Sequence, residues 1–162
     1  MCGFAGFTIT KILQEQKEAE TGQVTARAKE IAHRMGERIA HRGPDQDAVY
    51  ADEEIALCFR RLAIIDLEGG SQPMFNEDGS MVLTFNGEIY NFMELQKDLE
   101  EKGHHFKTRA DSEVLLHGYE EYGSEFVKKL RGMYAFVIWD KNRKKLFGAR
   151  DIFGIKPFYY YQ

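Results

Sequence analysis

The sequence has 162 residues, a length that suits one domain and leaves no room for two ordinary ones. Apolar residues make up 43% and charged residues 30%, with a net charge of −4. That is a globular mixture, without the basic surplus that a nucleic acid or an anionic membrane surface would call for. The longest apolar run, Met133 to Trp139, falls far short of the ~20 residues needed to span a bilayer. The N-terminus carries neither a basic n-region nor a small-residue cleavage pattern. Cys2 and Cys58 are the only cysteines, too few for the disulfide framework of a small secreted domain. The expectation is a cytoplasmic protein with reduced thiols and no nucleic-acid or membrane partner.

In chain order, Gly3 to Thr10 is predicted as a strand, followed by a polar surface stretch from Lys11 to Gln23. Val24, Ala28, Ile31, Met35 and Ile39 then recur at helical spacing, and Gly43-Pro44 must end that helix near His41. Ile55 to Ile65 is rich in β-formers, and Asn76-Glu77-Asp78-Gly79 is turn chemistry leading into a strand from Met81 to Phe85. Asn91 with Glu94 forms a candidate capping box for a helix burying Phe92, Leu95 and Leu99 and ending at Gly103. A second helix is expected after Asp111, burying Leu115, Tyr119 and Tyr122 and stopping at Gly123. Met133 to Trp139 is apolar throughout, which predicts a central strand covered on both faces. A turn at Asp140 to Arg143 returns the chain as Lys145 to Ala149, and Phe158 to Tyr161 is predicted as a last strand. Clustered strands joined by hairpins favour an α+β fold with mainly antiparallel sheets. The chain ends inside an apolar β-like run, Tyr159-Tyr160-Tyr161-Gln162, so a piece of a longer protein is expected.

Several residues could carry chemistry. Removal of Met1 would leave Cys2 as the terminal residue, holding a thiol nucleophile beside an α-amine. An amine with a reference pKa of ~7.7–8.0 is partly neutral near pH 7 and can act as a base. Cys58 reads as a buried small hydrophobe. Asn86-Gly87 is either a simple turn or a pair of donors for a tetrahedral oxyanion. Arg61, in Arg61-Leu-Ala-Ile-Ile-Asp66, either snorkels from an apolar strand or captures a carboxylate through its planar fork. Asp111 caps a helix, binds a ligand, or does both. His104-His105 lacks ligand companions at a known spacing, so no metal site is expected.

Together, Met-Cys-Gly-Phe-Ala-Gly, His41-Arg-Gly-Pro-Asp45, Arg61-Leu-Ala-Ile-Ile-Asp66, Phe85-Asn-Gly-Glu-Ile-Tyr-Asn91, Asp111-Ser-Glu113 and Asp151-Ile-Phe-Gly-Ile-Lys-Pro157 resemble the class II glutamine amidotransferases. The Pro-Asp after His41-Arg-Gly and the Glu after Asn86-Gly87 are similar to the glutaminase domain of glutamine-hydrolysing asparagine synthetases. The departures are a longer segment between Thr10 and His41, and Ile152-Phe153 where Pro-Leu is more usual. The resemblance implies an N-terminal-nucleophile hydrolase fold, an αββα sandwich of two mainly antiparallel sheets. Residues 1–162 would be a glutaminase domain shortened at its C-terminal end, with the synthetase domain absent.

The resemblance further implies that Cys2 attacks the side-chain amide of L-glutamine while Asn86 and Gly87 stabilise the oxyanion. Arg61 would grip the substrate carboxylate, with backbone groups of Leu62 and Ile64 assisting, and Glu88 and Asp111 would hold its ammonium. Hydrolysis of a Cys2 thioester would give glutamate, and the ammonia would serve an ATP-dependent asparagine-forming domain. No cofactor is expected in this domain; ATP and magnesium belong to the missing one. A homodimer is compatible with this reading. The alternatives are a catalytically silent module on the same fold, or an amidotransferase whose acceptor is not aspartate.

Overall fold

The computed structural model describes residues 2–9, 21–62 and 70–161. They form two compact units, one running up to Leu62 and the other made by the chain beyond it.

The first unit contains β1 (Gly3–Thr8), α1 (Thr21–Arg38), a 3-10 turn (Ala40–Arg42), β2 (Gln46–Ala51) and β3 (Ile55–Arg61). Its antiparallel sheet runs β1-β3-β2, with Ala5 and Val49 flanking Cys58 on either side. Ala28, Ala32 and Gly36 fall four residues apart and are the buried positions of α1. These small residues let the helix backbone close on β3, where Ala56 and Cys58 complete a core with Ile9. Val24, Met35 and Ile39 flank that contact, whereas Ile31, the remaining member of the apolar stripe, is only half-buried and lies outside it. Strand β2 was not foreseen, because its start among Asp45, Gln46 and Asp47 resembles a loop. The hairpin into β3 explains it: Asp52 Oδ1 accepts from the N–H groups of Glu54 at 2.8 Å and Ile55 at 2.9 Å.

The second unit contains β4 (Met74–Phe75), β5 (Met81–Ile89), α2 (Phe92–Glu100), α3 (Glu113–Tyr122), a 3-10 segment (Gly123–Lys129), β6 (Gly132–Asp140) and β7 (Lys145–Arg150). Its sheet is antiparallel in the order β4-β5-β6-β7. The turn at Asn76 to Gly79 is held by Asn76 Oδ1, which accepts from Met81 N–H at 2.8 Å. Leu83, Phe85 and Ile89 of β5 and Phe136 and Ile138 of β6 pack against Leu95 and Leu99 of α2 and Leu115 and Tyr119 of α3. From Tyr134 to Asp140 every residue of β6 is buried, as expected for a strand covered on both faces. The two antiparallel sheets with their helices have the expected α+β content. Among the described residues, no helix is long and apolar enough to cross a membrane.

Three local expectations are corrected. Asn91 precedes α2 but makes no side-chain cap bond. Its amide instead donates to the Lys129 carbonyl at 3.0 Å and accepts from Arg131 N–H at 2.9 Å, pinning the approach to β6. The residue before α3 is Ser112 rather than Asp111, and it too makes no side-chain cap bond. Phe158 to Tyr161 is not a strand. The chain leaves β7 at Asp151, whose buried carboxylate gathers the N–H groups of Tyr134, Ile155 and Lys156 into a turn. Burial would raise that carboxyl's pKa, but these donors hold it below the ordinary value.

Phe126 of the 3-10 segment lies directly over Gly118 of α3, where an added Cβ would sit 2.1 Å from the ring. Gly118→Ala should therefore cost about 1–3 kcal/mol through overpacking. Gly22→Ala, where nothing lies within 4 Å, should be neutral or stabilising by about 0.4–1 kcal/mol. Urea denaturation of the two variants measures the contrast, and equal effects would contradict the packing.

Candidate functional site

In the first unit the chain start is held in place by backbone and side-chain contacts. Strand β1 pairs along β3 from Gly3 opposite Arg60 to Thr8 opposite Ile55. Just before it, the Cys2 sulfur sits on the backbone of Leu62. Leu62 N–H donates to Sγ at 3.3 Å, and the thiol donates to the Leu62 carbonyl at 3.5 Å. Arg42 donates from Nε at 3.2 Å and Nη2 at 3.3 Å to the Cys2 carbonyl. Cys2 is free and half-buried, while Cys58 is free and buried. Burial pushes the Cys58 thiol up, against smaller effects from the Ala5 backbone and Arg60, which suits an inert core residue.

Arg61 ends β3 and is buried, opposite Gln46 of β2. Strand alternation places it with Ile55, Leu57 and Phe59, on the sheet face away from α1. The Asp45 N–H donates to its carbonyl at 3.0 Å, so the His41 to Asp45 turn is tied to the same strand end. Arg42 lies in the Ala40–Arg42 3-10 turn that precedes Gly43-Pro44. Its role at Cys2 had no local signal, since the two residues lie forty positions apart. Ile64 lies outside the described residues.

In the second unit, Asn86, Gly87 and Glu88 are not a turn. They lie in β5, opposite Ala135, Tyr134 and Met133 of β6. A Cβ on Gly87 would come within 2.2 Å of the Met133 carbonyl oxygen and 2.7 Å of Tyr134 Cα, so the strand pairing itself demands glycine. Asn86 is buried and shares the non-helical face of β5 with Glu88, by alternation from the core residues Phe85 and Ile89.

Asp111 is buried, and its Oδ2 accepts from Ile89 N–H at 2.7 Å. Burial raises its carboxyl pKa; the Ile89 N–H works against that, and the negative charge of Glu88 adds to it. The result is an acidic pair on which a cationic group would be favoured.

Glu113, two residues on, accepts from the N–H groups of Lys107 and Thr108, each at 2.8 Å, and from the Thr108 hydroxyl at 2.5 Å. Burial works against its charge, yet His117 and these donors hold its carboxyl down at about 2. The Glu113 of the Asp111-Ser-Glu113 motif thus organises the segment that carries Asp111, a job the sequence alone did not indicate.

This chain is a glutamine amidotransferase domain: the model of that family matches residues 1–162. Asparagine synthetase (glutamine-hydrolysing) 1 of Bacillus subtilis is 49% identical over 160 residues, covering 99% of this chain and 24% of the relative. Asparagine synthetase (glutamine-hydrolysing) 2 of Oryza sativa is 49% identical over 125 residues, covering 77% of this chain and 21% of the relative. The chain therefore spans about a quarter of the length of these relatives. A solved glutamine phosphoribosylpyrophosphate amidotransferase from B. subtilis overlaps 53% of this chain and 21% of its own, at 29% identity and a TM-score of 0.45.

The raised Asp111 pKa has a stability consequence. A carboxyl that is harder to ionise in the folded state than in the unfolded one supports folding below its ordinary pKa. That support is lost as pH rises through the raised value, leaving a penalty at neutral pH. Asp111→Asn keeps an oxygen acceptor for Ile89 N–H and removes the charge. Its melting temperature near neutral pH should equal or exceed that of the parent, and the advantage should disappear near pH ~4. Thermal unfolding at both pH values checks this; a clear loss of stability at neutral pH would contradict it.

Proposed function

We propose that this domain hydrolyses L-glutamine to glutamate and ammonia with Cys2, freed of Met1, as the nucleophile. The seat of the Cys2 sulfur on Leu62 carries the reading. It fixes the half-buried Cys2, whose own α-amine, once Met1 is removed, stands beside the thiol as its base. The thiol sulfur adds to the glutamine amide carbon as its proton passes to the α-amine. Asn86 and the Gly87 N–H supply the oxyanion donors, each such donor being worth about 2.7–4 kcal/mol. The proton moves on to the leaving nitrogen, the carbon–nitrogen bond breaks, and ammonia departs from a γ-glutamyl thioester. Water then cleaves the carbon–sulfur bond, giving glutamate and regenerating the thiol.

Substrate recognition follows from charge. The buried Asp111 and the negative charge of its neighbour Glu88 suit an α-ammonium group. Arg61 takes the α-carboxylate, assisted by backbone groups of Leu62 and Ile64. No cofactor is required for this half-reaction. In a longer protein the ammonia passes to an ATP-dependent synthetase domain that forms asparagine, in a cytoplasmic setting that keeps both thiols reduced.

Cys2→Ala should abolish ammonia release from glutamine while the far-ultraviolet spectrum is unchanged, and Cys58→Ala should retain turnover. Activity in Cys2→Ala would overturn the proposal. A preparation retaining Met1, identified by intact mass, should be inactive because the Cys2 nitrogen is then an amide. Aminopeptidase trimming should restore turnover in proportion to the trimmed fraction. Asp111→Asn should raise KM for glutamine at least tenfold, and an unchanged KM would remove Asp111 from the site.

A further inference from the structure

Helix α3 and the segment before it bring together three groups that the glutaminase reaction does not use. His117 and Glu120 stand one turn apart on α3, with His117 Nδ1 at 2.9 Å from Glu120 Oε2. His104, thirteen residues before His117 in sequence, places its Nδ1 at 3.6 Å from the same carboxylate oxygen. One ligand atom from each of His104, His117 and Glu120 lies within 4.8 Å of the others. A tetrahedral zinc ion with donors at ~2.0–2.1 Å requires donor separations of roughly 3.3 Å; the two distances to Glu120, 2.9 and 3.6 Å, bracket that value, and the imidazole-to-imidazole separation lies within 4.8 Å.

The surroundings suit metal ligands. Glu120 is oriented by its other oxygen, Oε1, which accepts from Asn76 Nδ2 at 2.7 Å. His117 turns its remaining nitrogen, Nε2, toward Glu113 Oε1 at 3.7 Å, and His104 turns Nε2 toward Glu121 Oε2 at 3.4 Å. A carboxylate thus lies within 4 Å of the far nitrogen of each histidine, hydrogen-bonded at His104 and beyond hydrogen-bond length at His117, on the side where a metal-bound imidazole keeps its outer-shell partner. Phe106 stacks edge-on against His117 at 4.6 Å and fixes the ring from the side. His117 is fully buried while His104 keeps partial exposure, so an ion could enter from the His104 side.

We propose that His104, His117 and Glu120 form a binding site for a divalent transition ion of the zinc class. Two imidazoles and one carboxylate supply three ligands, leaving a fourth position for water or an exchangeable ligand. Binding replaces the proton between His117 Nδ1 and Glu120 Oε2, so one proton leaves for each ion bound. The ion would tie the segment carrying His104 to α3.

The test is calorimetric titration of the metal-stripped chain with Zn2+ in a Cys2→Ser background, which removes the competing terminal thiol. His117 is too buried for a clean substitution, so His104→Ala and Glu120→Gln are the variants, with folding verified by circular dichroism. One equivalent of Zn2+ should bind, weakened tenfold or more in each variant. Zn2+ should also raise the melting temperature of the parent and not that of the variants. Absence of Zn2+ binding, or binding undiminished by either substitution, would overturn the site and leave a proton as its sole occupant.

Discussion

The position of Cys2, the residue proposed as nucleophile, rests on non-covalent contacts made by the strand that follows it and by residues far along the chain. Six residues of β1 pair in register with β3, Arg42 holds the Cys2 carbonyl, and Leu62 N–H meets the sulfur sixty residues away in sequence. Strand β3 is in turn backed by the small-residue face of α1, where Ala28, Ala32 and Gly36 allow close approach. The thiol's position is therefore only as firm as a sheet of modest size and the helix that covers one side of it. Each part has a separate physical origin: ladder hydrogen bonds, close packing, and one guanidinium.

The second unit solves a different problem, which is to hold buried charge without neutralising all of it. Asp151, Glu113 and Glu120 are each satisfied by several donors, and their carboxyl pKa values are lowered accordingly. Asp111 is the exception. It is buried near Glu88 with raised pKa, a costly arrangement that a cationic ligand would relieve. Glu113, by capping the Lys107–Thr108 backbone, keeps the segment that carries Asp111 in a defined path. Two carboxylates with opposite shifts thus sit two residues apart on one stretch of chain: His117 and the Lys107 and Thr108 donors hold Glu113 down, while burial and the Glu88 charge push Asp111 up.

Much of this was legible in the sequence. Helix α1, the helices around Leu95 and Leu115, and β6 with its apolar run from Met133 to Trp139 follow from period and composition, because each signal lies within one element. The errors fall where a local signal had a distant competitor. Asn91 followed by Glu94 looks like a capping box, but Lys129 and Arg131 claim the Asn91 side chain. Asn86-Gly87 looks like a turn, but β6 claims its backbone. Tyr159 to Tyr161 look like a strand, but the Asp151 turn redirects the chain, and the three tyrosines are left exposed.

The sequence by itself determined the family, through ordered motifs spread from Cys2 to Pro157, and the α+β class, through element types that neighbouring residues dictate. It also carried the position of Cys2 beside the chain start, which requires no folding to recognise. Only the tertiary structure decided which carboxyl pKa values burial raises and which their donors lower, that Arg42 holds the Cys2 carbonyl, and that His104 meets His117 and Glu120. Those outcomes depend on how loops close and strands register over tens of residues. A hydrogen bond or a shared charge across such a gap leaves no periodicity in the sequence to read.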